Sequence, residues 1–219
     1  ALSAMLRFTD EETKHQRMFE MVKQMVADGL GFRPRELPDM EERARAICQH
    51  SPFAVYLSIL MIEWYTQRHY VECFREEDSD LDPNFVKVFR LHWTEEAQHA
   101  RIDAIKLRML VQNMSPSEIT MSITEFSNIL NGLHDMIRKQ DILDIDSIAI
   151  AINIQLTDEQ RNEILQALHK ESFWTFLMSG LEHTGFSSVY DELVSSEATP
   201  LAQIQKIMWE ASQDGDRSL

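Results

Sequence analysis

Hydrophobic positions in this chain recur at spacings of three and four, the period of helices with one buried face, and strand-like alternation is nearly absent. Punctuation agrees with the period. Four of the six prolines follow a capping residue, in Ser51-Pro52, Asp82-Pro83, Ser115-Pro116 and Thr199-Pro200. Each pair reads as an N-cap followed by proline at the first helical position. Ser115 to Glu118 and Thr157 to Gln160 add the capping-box spacing. The expected class is all-α. The first helix should run to about Asp28, ahead of Gly29 and Gly31, and a loop with Pro34 and Pro38 leads to a short helix near Met40–Gln49. Two long helices follow, about Pro52–Glu77 and Pro83–Asn113, each close to 40 Å at about 1.5 Å per residue. That length suits an antiparallel bundle better than a globin-like domain. Beyond Ser115 the helices read as shorter, with Ile- and Leu-rich faces. Capping near Asn113 divides the chain into a bundle, 1–113, and a C-terminal helical region, 114–219.

One stretch places chemistry on such a helix. In HWTEEAQH, the residues His92, Glu96 and His99 point near 0°, 40° and −20° at about 100° per residue. They share one narrow stripe and can converge on a metal. In a chain with 8 histidines, a His-x3-Glu-x2-His run is expected by chance roughly 0.03 times, against roughly 0.8 times for a bare Glu-x2-His. The triplet is therefore informative where a lone pair is not.

Two further helices match it. The first carries Glu12 and His15, with Phe8 and Phe19 on the same stripe. The most apolar helix carries Glu63 among Ile59, Ile62, Thr66 and Tyr70. A carboxylate buried there must be paired, protonated or metal-bound. Taken singly, Glu12 and His15 read as an exposed pair, and Glu63 as a surface carboxylate beside Arg68. Three helices with the same chemistry outweigh those readings. Glu-x2-His on two helices and a single Glu on each of two others is the carboxylate-bridged di-metal plan. Carboxylates neutralise the four charges of two ferrous ions, and imidazoles cap the outer positions while leaving sites open for dioxygen. His92 would be an extra nitrogen ligand. The plan's remaining glutamate is expected just before Ala1, on an upstream helix that the chain lacks.

Around this set, Asp103 lies one turn past His99. It is expected either to orient an imidazole through its free N–H or to pair with Arg101, Lys106 or Arg108. Thr66 and Tyr70 can contact a bound ligand or fill the core. Trp64 and Tyr65 read as packing. Glu95 and Glu11 point off the stripe, toward solvent.

The order Glu12-x2-His15, then Glu63, then His92-x3-Glu96-x2-His99, with about 50 and 30 residues between the groups, resembles the arylamine N-oxygenase family. These are ferritin-like di-iron enzymes of the p-aminobenzoate N-oxygenase type. The resemblance covers roughly residues 1 to 110. It implies a ferritin-like bundle, truncated at its N-terminal ligand helix, that binds two Fe ions (Mn as the alternative) and activates O2. It also implies an external electron donor and a small organic substrate, with amine N-oxygenation as the specific reaction. The haem-oxygenase-like di-iron oxidases, with a similar ligand order, are the nearest alternative fold. A ferritin-like iron-storage protein is the alternative function, and a helical scaffold with a decayed site is the third. Storage fits less well with the extra His92 and the long C-terminal region.

Charge and composition narrow the partners. A net charge of −15 argues against nucleic acid or an anionic membrane surface. No apolar run approaches the roughly 20 residues of a membrane span. Cys48 and Cys73 lack metal-type spacing and read as buried free thiols in a reducing compartment. With no signal peptide visible, a cytoplasmic protein is expected. In the C-terminal half, His134-Asp135, His169 with Glu171, Glu182-His183, and Asp141, Asp144 and Asp146 have no ligand spacing and read as structural. Phe173, Trp174, Phe176, Leu177 and Leu181 form an apolar face that should pack on the bundle or on a second copy, making a homodimer possible.

Overall fold

The long helices start where the sequence supplies caps. In a computed structural model describing residues 2–75, 81–194 and 198–214, all regular structure among the described residues is helical. Helix α1 spans Leu2–Leu30. It ends at Gly31, whose φ of +75° suits glycine and whose N–H donates to Ala27 O at 2.9 Å. The short α2 covers Met40–Ile47. In α3, Pro52–Cys73, Ser51 caps Ala54 N. In α4, Pro83–Val111, the Asp82 carboxylate accepts from Asn84 N and Phe85 N. Both α5, Pro116–Ala151, and α6, Asp158–Phe173, begin with the expected reciprocal capping boxes.

From Phe173 the chain continues through a π-helical turn, Trp174–Met178, into a single turn α7, Ser179–Leu181. Helices α8, Thr184–Leu193, and α9, Leu201–Asp214, complete the bundle.

Three expectations need correction here. The helices beyond Ser115 are not uniformly shorter: α5 has 36 residues, because no glycine-plus-proline break interrupts its apolar face before Ile152. The Thr199-Pro200 pair sits one position early. The carbonyl of Pro200 accepts from Ile204 N, so Pro200 holds the cap position, while the carbonyl of Thr199 accepts from Tyr190 Oη at 2.7 Å. Cys48 and Cys73 are exposed free thiols, one at the C-cap of α2 and one at the last residue of α3, where no neighbouring element covers them. The expected end of α3 near Glu77 lies outside the described residues.

Helix α3 is the centre of the packing and touches α4, α5, α7 and α8. Phe53, Leu57, Leu60 and Met61 from α3 join Leu107, Phe126, Leu130, Phe173 and Leu177 in one buried cluster. That cluster draws on both sides of Asn113. Of the aromatic face after residue 172, Phe173, Leu177 and Leu181 are buried, whereas Phe176 is 45% exposed. Helix α1 lies against α4.

Polar groups within the C-terminal helices find partners among themselves. His169 Nδ1–H donates to Asp141 Oδ2 at 2.8 Å, and His169 Nε2 meets His134 Nε2 at 3.1 Å, a buried chain tying α6 to α5. Burial, and then the neighbouring His169, hold His134 down to about 4. Among the described residues, no helix is long and apolar enough to cross a membrane.

The closest backbone approach is between α7 and α3. A Cβ on Gly180 would stand 2.4 Å from the carbonyl oxygen of Met61. Backbone cannot yield as a side chain can, so Gly180→Ala should destabilise the protein by about 3 kcal/mol, measured by urea unfolding. A cost near zero would show that α3 and α7 do not meet at this distance.

Candidate metal centre

Three helices bring the predicted residues together. Helix α1 presents Glu12 and His15, α4 presents His92, Glu96 and His99, and α3 presents Glu63. Every one of these except Glu12 and His92 is buried, and those two are half-buried. Glu12, His15, Glu96 and His99 each offer a ligand atom, and the four atoms lie within 4.8 Å of one another. Such a group could hold a metal ion.

The contacts inside the group are short. His15 Nδ1 stands 3.0 Å from Glu96 Oε1, and His99 Nδ1 stands 2.8 Å from Glu96 Oε2 and 2.9 Å from Glu12 Oε1. Yet both Nδ1 atoms and Glu96 Oε2 are buried with no properly aligned hydrogen-bond partner. Donors that crowd together without pointing at one another are arranged around a shared point between them. Such an arrangement leaves room for a cation between them, which would satisfy all three atoms.

Glu63 and His92 adjoin this group through Glu96. His92 Nε2 lies 2.5 Å from Glu96 Oε1, and its ring stacks edge-on against His15, with centroids 4.6 Å apart. Glu63 is buried beside this pair and lines the same cavity as Glu96 and His92.

The outer nitrogens of the imidazoles are held by acids that helical angle alone assigns to solvent. His15 Nε2–H donates to Glu95 Oε2 at 2.8 Å, and Lys14 closes on the other oxygen of Glu95. His99 Nε2–H donates to Glu11 Oε2 at 3.0 Å. A carboxylate only accepts, so each Nε2 carries the proton and each Nδ1 turns its other face inward. The expectation of solvated Glu95 and Glu11 is therefore overturned. With α1 lying along α4, the residue beside each ligand faces the neighbouring helix, and the far side of that helix's imidazole reaches it. The signal for them was the pairing of two ligand helices, not the angle on one.

Asp103 does neither thing expected of it. It is 1% exposed, its Oδ2 has no hydrogen-bond partner, and it forms no ion pair among the described residues. Arg108 instead makes a two-pronged pair with Glu192. Thr66 turns its hydroxyl back onto the carbonyl of Glu63, and Tyr70 stacks on Trp93.

Electrostatics follow from crowding acids and imidazoles in a seam. His15 and then His99 hold Glu12 down to about 2. Burial works against charge on His15 and His99, but Glu12, Glu96 and the outer acids Glu95 and Glu11 overcome it and lift both to about 10. Burial, then the adjacent Glu96, push Glu63 far above the carboxylate range. Glu96 is itself buried, but His15, His92 and His99 keep it ionised. Burial raises Asp103 to about 7, with His99 opposing and the Glu12 and Glu96 charges adding to it.

A cavity of about 1080 Å³ opens on this cluster. Glu12, His15, Glu63, His92, Glu96 and Asp103 form its polar end. Phe8, Phe19, Ile59, Ile62, Tyr65 and Phe89 supply much of the apolar wall, and Thr66, Tyr70 and Phe176 also border it. The comparisons do not place the chain in a family: no protein-family model, curated protein or solved structure matches it.

The pH dependence of the metal-free protein follows from these groups. His15 and His99 are raised above the ordinary histidine value, and Glu63 above the ordinary carboxylate value, so the folded state holds protons that the unfolded chain releases. The contribution of His15 and His99 is complete below about pH 6.5 and is lost as pH rises toward 10, and that of Glu63 is lost from about 4.5 upward, in the same direction. Glu12 and Glu96, both depressed, stay ionised throughout that window. The apo protein's Tm should therefore fall steadily from pH 6.5 to 9 by differential scanning calorimetry; a flat or rising Tm contradicts this arrangement.

Proposed function

We propose that this protein is a non-haem di-iron oxygenase of ferritin-like plan, in which Glu12, His15, Glu63, His92, Glu96 and His99 hold two iron ions where α1, α3 and α4 meet. The observation that carries the reading is the pair of inward Nδ1 atoms on facing helices, each within 3.0 Å of a carboxylate oxygen yet aligned for a hydrogen bond with none, and each imidazole backed by an outer carboxylate on Nε2. A histidine whose far N–H is fixed by a carboxylate is the usual form of a metal-ligating imidazole.

The donor set fits such ions. Hard carboxylates with imidazoles suit iron or manganese better than a thiolate-seeking metal. Iron, when bound, supplies the one-electron chemistry that lets O2 react with an organic molecule. The chain's own residues do the rest. Glu95 and Glu11 lock the tautomers of His15 and His99, and Glu96 lies among the three imidazoles His15, His92 and His99. Glu63 holds a proton that binding of a cation would displace.

The aromatic and aliphatic wall positions a small organic substrate beside the cluster and keeps water out. Amine N-oxygenation, the reaction implied by the resemblance of the ligand pattern, needs one oxygen atom inserted at nitrogen. The other leaves as water, with two electrons and two protons from an external donor. A chamber of this size and apolarity serves a substrate; iron storage has no use for it.

Anaerobic Fe(II) titration at pH 7 should give about two ions per chain. Because His15, His99 and Glu63 are protonated beforehand, between about two and three protons should be released per chain, read by calorimetry in buffers of different ionisation enthalpy. His99→Ala should abolish tight binding. Exposure to O2 with a reductant and an arylamine should then consume O2 and yield hydroxylamine. Mineral formed beyond two irons per chain would favour storage, and a chain that binds no iron would refute both.

A further inference from the structure

Resting on that di-metal reading, we propose that Asp103 is a metal ligand, the fourth carboxylate of the site. Asp103 falls at about 20° on the α4 wheel, inside the stripe bounded by His99 at about −20° and Glu96 at about 40°. Side chains on a helix lean toward its N-terminus, so Asp103 leans back toward His99 and Glu96. It lines the same cavity as Glu12, Glu63 and Glu96.

Nothing else accounts for it. Asp103 is almost wholly buried, and Oδ2 has no partner. Among the described residues no lysine or arginine pairs with it: Arg108 is engaged by Glu192, and Arg101 is exposed. A buried acid without hydrogen bond or cation is expensive to keep and demands a counter-charge at that spot. Only the His99 imidazole opposes that burial, and its two nitrogens are already engaged by Glu11, Glu12 and Glu96.

Charge balance points the same way. Glu12, Glu63 and Glu96 give three negative charges, one fewer than two divalent ions require. With Asp103 ionised, four carboxylates match four positive charges, and three neutral imidazoles add none.

The test uses the full chain and Fe(II) alone, under anaerobic conditions. Wild type and Asp103→Asn are titrated by calorimetry, and the melting temperature of each apo protein is recorded. If Asp103 is a ligand, stoichiometry falls from about two ions to about one. The apo Asp103→Asn protein should melt at or above the wild-type temperature, since a buried acid has been removed. Two ions retained in the variant, whether at unchanged affinity or weakened about 10- to 100-fold as for a group that only orients a ligand, would overturn the proposal. So would a lower apo melting temperature, which marks a structural role. Wild type that binds no iron would instead overturn the di-metal reading itself, so the two failures are separable.

Discussion

Buried negative charge in the seam between α1, α3 and α4 is the constraint on which the site depends. Glu63, Glu96 and Asp103 are each no more than 5% exposed, and Glu12 stands among them. Such a cluster is tolerable only with compensating positive charge or bound protons. In the metal-free state it takes protons: His15 and His99 are held as imidazolium to high pH, and Glu63 keeps its own. The arrangement is thus poised to exchange protons for cations. Any cation bound there would link metal affinity to folding stability through the same groups.

The rest of the fold serves this seam. Helix α3 carries one face of large apolar side chains into the common core and brings Glu63 to the flank of that face, so burial of Phe53, Leu57 and Met61 also fixes the height of the carboxylate. The tight passage of Gly180 over Met61 holds the C-terminal helices against that same segment. Helix α1 is fastened to α4 by the imidazole–carboxylate contacts themselves, together with Lys14–Glu95. The candidate site residues are therefore part of what docks α1. Rings of Phe8 and Phe19, packed on His99 and His92, shield the contacts from water and strengthen them.

Much of this was legible in the sequence, for physical reasons. Proline after a capping residue is a local signal, and the starts of α3, α4 and α5 need no tertiary context. The ligand stripe on α4 and the pair on α1 follow from helical geometry alone. What the sequence did not disclose depends on how helices meet. Glu95 and Glu11 look solvated on an isolated wheel and become imidazole partners only once α1 lies along α4. Asp103 looks like an ion-pair partner because basic residues are near in sequence, but Arg101 and Arg108 lie off its face and Lys106 forms no ion pair with it among the described residues. The His134–His169–Asp141 chain is invisible to spacing rules because its members come from two helices. Cys48 and Cys73 have helix-like surroundings in sequence, yet both sit at helix ends left uncovered.

The central claim is that the seam is a two-cation site. Anomalous diffraction at the iron edge, from crystals grown anaerobically with Fe(II), tests it most directly. Two peaks about 3.5–4 Å apart, the spacing of a two-metal centre, should flank the Glu96 carboxylate between His15 and His99. The absence of iron there, with the His15 and His99 Nδ1 atoms hydrogen-bonded only to carboxylates, would contradict the account.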